Sequence, residues 1–231
     1  MNRFFFGLDL GQAVDYTATA VIERAELRGA FDHAQWAYRK EVELRLRFLR
    51  RTPLGTLYPR VVAQTVDLTR HPAFGGRVDL AVDATGVGRP VVDLLRDSPR
   101  KGRMKAVIIS PGEQQHETNG FFCVPKRDLI SGLALLFQMG GLKVAQDLEE
   151  GETLVKELLG MERRSTAGGR EQYGTWRAGQ HDDLVLAVAL AVWGVQEAHC
   201  WSESHWFNRV EAEAAEEFRG AMEDWRWGTN R

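Results

Sequence analysis

Phe4-Phe5-Phe6-Gly7-Leu8-Asp9-Leu10-Gly11 is an apolar run with a carboxylate set near its downstream end. A run this short and this rich in phenylalanine reads as a central strand over residues 3–10. Period-two alternation puts Phe4, Phe6, Leu8 and Leu10 on one face, and Phe5, Gly7 and Asp9 on the other. Two further stretches set a carboxylate in or against apolar residues: Val82-Asp83-Ala84-Thr85-Gly86 and His181-Asp182-Asp183-Leu184-Val185-Leu186-Ala187. Ionised carboxylates are rarely placed there unless something positive compensates for lost hydration. No lysine or arginine in the local sequence does so for Asp9 or Asp83. A divalent cation shared by Asp9, Asp83 and Asp183 would, and that points to metal-dependent phosphodiester hydrolysis.

Outward from the first strand, Gly11-Gln12-Ala13-Val14-Asp15 is a turn, and Thr17-Ala18-Thr19-Ala20-Val21-Ile22-Glu23 a second strand. A polar break over 28–34 precedes a third strand within Trp36 to Phe48, where Val42, Leu44, Leu46 and Phe48 alternate. Together the three predict an antiparallel meander. Residues 54–70 carry Leu57, Val61, Val62 and Val66 at helical spacing. Val78 to Asp83 reads as a strand, Gly88 to Arg96 as a helix with Pro90 in its first turn, and Lys105 to Ser110 as another strand. A helix from Pro125 to Met139 stops at Gly140-Gly141. Leu142 to Ala145 is a brief edge strand, 151–160 a short helix, and 161–177 a hairpin around Gly168-Gly169. Asp182 to Glu197 is a strongly apolar helix. The predicted class is α/β: a mixed sheet, a three-strand antiparallel meander plus parallel strands, with helices on both faces. Residues 1–199 form this domain, and 200–231 a C-terminal helical tail.

Composition bounds the reading without deciding it. The 231 residues suit one large domain with an appendage, and 44% hydrophobic with 27% charged content is ordinary for a globular chain. A formal charge of −2 gives no global basic signature, so phosphate contacts must come from local patches. Cys123 and Cys200 lack metal-like spacing, and a reduced, cytoplasmic protein is the plain expectation. No run reaches the roughly 18 apolar residues of a membrane span. The apolar run that opens the chain is too short for a secretory signal, and Asp9 interrupts it.

Asp9 and Asp83 each end a predicted strand beside a glycine-bearing turn. If those strands are parallel neighbours, both carboxylates emerge at one sheet edge, where open α/β sheets place ligands. Asp183 starts a helix whose Leu186, Ala187, Leu190 and Ala191 must pack on the sheet, and the alanines allow close approach. Hard oxygen donors suit magnesium or manganese. Two such ions about 3.5–4 Å apart orient a water and stabilise a leaving oxygen. His181 is near enough to act as proton carrier or outer ligand. Each feature also has a plain reading: Asp9, Asp83 and Asp15 as turn formers, Asp182-Asp183 as a helix cap, His181 as a turn residue.

Gly7-Leu8-Asp9-Leu10-Gly11-Gln12 with Asp15-Tyr16-Thr17-Ala18, then Asp83-Ala84-Thr85-Gly86-Val87-Gly88, then His181-Asp182-Asp183 resemble the nuclease domain of tailed-phage terminase large subunits. The resemblance spans roughly residues 3–199. It implies an RNase H-like fold, akin to RuvC-type resolvases, and a two-metal endonuclease that cuts concatemeric viral DNA during packaging. It places acidic ligands on Asp9, Asp83 and Asp183, with Asp182 as a further candidate. It also implies double-stranded DNA, a portal, a small terminase subunit and an ATPase motor as partners. No Gly-x-x-x-x-Gly-Lys-Ser/Thr loop occurs here, so a motor would lie in an excised domain or a separate chain.

Basic clusters at Arg45, Arg47, Arg50 and Arg51, at Arg100 to Lys105, at Lys126-Arg127, and at Arg163, Arg164 and Arg170 are candidate phosphate contacts. The last belongs to the predicted hairpin, which leads into His181 and is placed to clamp a duplex. In the tail, Trp201, Trp206 and Phe207 suit helix packing, and Trp225 and Trp227 suit docking. Two competing functions use similar motifs. A Holliday-junction resolvase shares the fold and metal chemistry. An actin-like ATP-binding fold also opens on Asp-Leu-Gly but needs two duplicated halves.

Overall fold

The computed structural model describes residues 2–86, 88–165, 171–174 and 181–199. The tail from 200 onward, with its tryptophans and Cys200, lies outside the described residues. Among the described residues, no helix is long and apolar enough to cross a membrane.

Strands β1 (Arg3–Asp9), β2 (Thr17–Asp32) and β3 (Ala37–Thr52) form the antiparallel meander. After helix α1 (Tyr58–Arg70) and a 3-10 turn at Pro72–Phe74 comes β4 (Val78–Asp83). Helix α2 (Gly88–Arg96) and β5 (Arg103–Ser110) follow. Next are β6 (His116–Thr118), β7 (Phe121–Pro125), α3 (Lys126–Gln138), β8 (Leu142–Val144) and α4 (Gly151–Gly160). The hairpin strands β9 (Glu162–Ser165) and β10 (Glu171–Gly174) precede α5 (Asp183–His199). The main sheet has the order β6-β7-β5-β4-β1-β2-β3-β8. Strand β4 pairs parallel to both β1 and β5, and β5 parallel to β7. Among the described residues there is one such sheet, which leaves the duplicated halves of an actin-like fold unmatched.

Two cores lie on opposite faces, as the alternation in β1 requires. Phe6 and Leu8 pack with Val21, Leu80, Val91 and Leu95 on the α1/α2 face. Phe5 packs with Leu133, Leu154 and most of α5 on the other. Helix α5 is buried along nearly its whole circumference, with Leu184 to Val195 all under cover apart from Gly194. The sheet lies beneath it and α3 and α4 flank it, so it carries no polar stripe. Its axis runs close over β1 because of Gly7. A Cβ there would stand 1.9 Å from the Ala187 carbonyl oxygen and 2.7 Å from the Ala191 nitrogen. Only glycine below and alanines above let these backbones meet.

The expected polar break at 28–34 is narrower than the sequence suggested. Strand β2 continues to Asp32 and β3 resumes at Ala37, making a long ribbon that projects past its neighbours. Its outer half is solvated on both faces, so polar and apolar residues need not alternate. Phe31 makes edge contacts with Trp36 and Tyr38 at the tip, and Arg28 lies 3.3 Å over the Tyr38 ring. The β6–β7 hairpin was not anticipated. Its signal is Asn119-Gly120, both at positive φ (50° and 75°), the pair favoured in two-residue turns.

Candidate active site

One row of residues across the sheet defines the site. Asp9 and Asp83 end β1 and β4 one position past the paired Leu8 and Val82. Asp9 in turn pairs with Ala18 of β2, and Ala18 with Arg51 of β3. Parallel pairing of β1 with β4 thus brings two carboxylates out at one edge, on the face that α5 covers. They lie within hydrogen-bonding reach of each other.

The loops after both strands are tied down. Thr17 Oγ1 donates to the Gly11 carbonyl at 2.7 Å, which closes the 11–16 turn. The Thr85 backbone N–H donates to Asp83 Oδ1 at 2.8 Å, and Thr85 Oγ1 accepts the Ile109 N–H at 2.9 Å, so the loop is pinned to β5. Gly88 opens α2 against this loop, where a Cβ would come within 2.3 Å of the Asp83 carbonyl oxygen.

Asp182 and Asp183 reach the same edge from above. The Leu186 N–H donates to the Asp182 carbonyl at 2.8 Å, the first bond of α5. Lys126, the first residue of α3, places Nζ 2.7 Å from Asp182 Oδ2. Asp183 is only 3% exposed. Its Oδ2 accepts the Tyr16 N–H at 3.4 Å, and lies 3.8 Å from Arg51 Nη2 and 3.7 Å from His181 Nδ1. The His181 ring stands edge-on to Tyr16, and its buried Nδ1 has no hydrogen-bond partner among the described residues. Asp15, Asp183 and His181 each offer one donor atom within 4.8 Å of the others, a set of metal-ligating type. Asp15, more a turn residue by sequence, therefore stands at the rim of the cluster.

Electrostatics follow from this crowding. Burial, then the charges of Asp83, Asp183 and Asp182, push the Asp9 carboxyl well above the usual carboxylate range, with Lys126 opposing. Burial also raises Asp83, against hydrogen bonds from Thr85. Asp183 is pushed up to about 6 by burial, against the attraction of His181 and Arg51. Glu157, on α4, is pushed up to about 7 by burial, against the Val185 N–H and Arg51. Carboxylates outnumber the cations Lys126 and Arg51 here, and every abutting donor on the two strands is a hard oxygen. That donor set fits magnesium or manganese.

The basic candidates divide. Lys126 turns inward to Asp182, whereas the Arg127 guanidinium meets the Glu113 carbonyl at 3.1 Å and Asp128 at 3.2 Å. Arg163 and Arg164 lie on β9, paired with Tyr173 and Gln172 of β10, which packs near α3. Their side chains, and all of Arg170, lie outside the described residues. Sequence reasoning missed Glu157 altogether, and placed Arg51 in a basic cluster rather than beside Asp183. Nothing local marks either: one sits mid-helix, the other among four arginines.

These elements define an RNase H-like mixed sheet with acidic residues gathered at one edge. More narrowly, the fold is that of large-terminase nuclease domains. The large terminase nuclease of thermophilic phage G20c, solved with bound magnesium, superposes with a TM-score of 0.57 at 23% identity, over 83% of this chain and 80% of that one. A mutant nuclease domain of the large terminase subunit of bacterial virus Sf6, solved with manganese and β-thujaplicinol, gives 0.58 at 14% identity, over 82% and 87%. By sequence, the chain matches no family model and no curated protein.

Proposed function

We propose that this chain is a metal-dependent endonuclease that hydrolyses DNA phosphodiester bonds, cutting concatemeric viral DNA during genome packaging. The carrying observation is the meeting of Asp9 and Asp83 on adjacent parallel strands, with the Asp182-Asp183 turn at the same edge. Asp9, Asp83 and Asp183, with Asp182, would hold two Mg²⁺ or Mn²⁺ ions. Such ions supply Lewis-acid stabilisation of the leaving oxygen and lower the pKa of an attacking water. His181, with an unpartnered Nδ1 beside Asp15 and Asp183, carries a proton at the rim. Lys126 offsets part of the carboxylate charge before an ion arrives. Arg163, Arg164 and Arg170 of the hairpin, with Arg127, would contact the duplex backbone, whereas Lys126, turned inward to Asp182, would not. The partners of this reading are double-stranded DNA, an ATPase motor, a portal and a small terminase subunit.

The test is incubation of supercoiled plasmid with Mn²⁺ or Mg²⁺, wild type against Asp83→Ala. Wild type nicks and linearises, and the variant does not. Equal cutting by both, or none by wild type, removes the reading. A parallel four-way-junction substrate separates it from a resolvase, which would cut the junction in preference to linear duplex.

A further inference from the structure

We propose that Glu157 and Arg51 are positioning residues of this centre: Glu157 caps the first turn of α5 from another helix and holds the Arg51 guanidinium off Asp183. The proposal rests on the nuclease reading above and assigns two side chains that the reading leaves out.

Helix α5 begins in an unusual way. By its backbone, Asp182 occupies the N-cap position, since its carbonyl accepts the first helical bond from Leu186. An aspartate there ordinarily caps an N–H of the first turn with its own carboxylate. Here that carboxylate goes to Lys126. Asp183 goes to Tyr16 and faces His181 and Arg51. The Val185 N–H is met instead by Glu157 Oε2, at 3.0 Å, from α4. An acceptor borrowed from α4 thus leaves both aspartates free to face the sheet edge.

The other oxygen of Glu157 binds Arg51 Nη2, an ion pair in which both side chains are largely buried. Arg51 shares the row of Asp9, its guanidinium lies 4.6 Å from the Tyr16 ring, and the same Nη2 stands 3.8 Å from Asp183. A guanidinium this near a carboxylate closes to a direct, charge-assisted pair unless a better partner holds it. Glu157 is that partner. Without it, Arg51 would occupy Asp183 and compete with any cation for its oxygens. Buried ion pairs are weak sources of stability and are often replaceable by apolar groups. A role in placing Asp183 accounts for this one.

The experiment is Mn²⁺ titration by calorimetry at pH 8, where Glu157 is ionised, without DNA, into wild type, E157Q and the double variant R51M/E157Q, with the Tm of each. The E157Q side chain keeps an oxygen for the Val185 N–H but lacks the charge that holds Arg51. We expect E157Q to fold and to lose about 10- to 100-fold in Mn²⁺ affinity, the usual cost of removing a residue that orients a ligand. The double variant, with no competing cation, recovers most of that loss. A purely structural pair would shift Tm and leave affinity alone. Unchanged affinity in E157Q, or a double variant no tighter than E157Q, overturns the proposal while leaving the nuclease reading intact. Should E157Q fail to fold, E157A and R51M/E157A take its place: a loss of Mn²⁺ affinity in the single variant that the double regains supports the proposal, and equal affinities overturn it. Absence of Mn²⁺ binding by wild type would defeat the nuclease reading, and this proposal with it.

Discussion

Without divalent ions, this protein should grow less stable as pH rises from 5 to 7.5, contrary to the usual behaviour of carboxylate-rich domains. Glu157 and Asp183 are buried, and their carboxyls are pushed up to about 7 and about 6, from ordinary values of 4.5 and 3.8. A carboxyl with a raised folded-state pKa binds its proton more tightly in the native than in the unfolded chain. Its stabilising share is therefore complete below the unfolded pKa, and is lost as pH climbs through the folded one. For Glu157 the loss runs over about two pH units above pH 5, which at 1.36 kcal/mol per unit is about 3 kcal/mol. Asp183 adds a smaller part below pH 6 that is not additive, because Arg51 faces both. Asp9 and Asp83 push in the same direction. For a domain of this size, about 3 kcal/mol moves Tm by about 6–12 °C. The assay is thermal unfolding in EDTA from pH 5 to 7.5, repeated with excess Mn²⁺. The ion should restore stability at pH 7.5, by about 2.7 kcal/mol at a hundredfold excess over its Kd. A Tm that is flat or rises with pH in EDTA, and that ignores Mn²⁺ at pH 7.5, would refute the electrostatic argument.

Asp83→Asn should raise Tm in EDTA at pH 7.5, by relieving repulsion with Asp9, while abolishing both the Mn²⁺-induced shift and DNA cutting; a lowered Tm in EDTA contradicts the crowding. Gly7→Ala drives a methyl into the α5 backbone and should cost about 3 kcal/mol or more, measured by urea unfolding, whereas a near-neutral effect would mean that α5 does not sit so close to β1. Neutralising Arg163, Arg164 and Arg170 together should weaken duplex binding and flatten its salt dependence by about 0.9 in log–log slope per lost phosphate contact. An unchanged slope would discard the hairpin as a clamp.

The central strands were legible because burial on two faces leaves a strong mark. Phe4 to Leu10 and Val78 to Asp83 could be little else, and their aspartates stood out against apolar neighbours. The ribbon beyond Arg28 and the β6–β7 hairpin were harder, since an exposed strand leaves no alternation and strands of three and five residues leave little period. Asp9, Asp83 and the Asp182-Asp183 turn could be named from the chain alone, because a carboxylate among buried residues is costly wherever the chain runs. What the chain alone could not decide is which groups meet them. Arg51 reaches Asp183 through two strand pairings, Glu157 through the packing of α4 on α5, and Lys126 through the placement of α3. Each of those contacts joins residues dozens of positions apart, so local sequence carries no trace of it, and only the folded sheet with its covering helices fixes the distance.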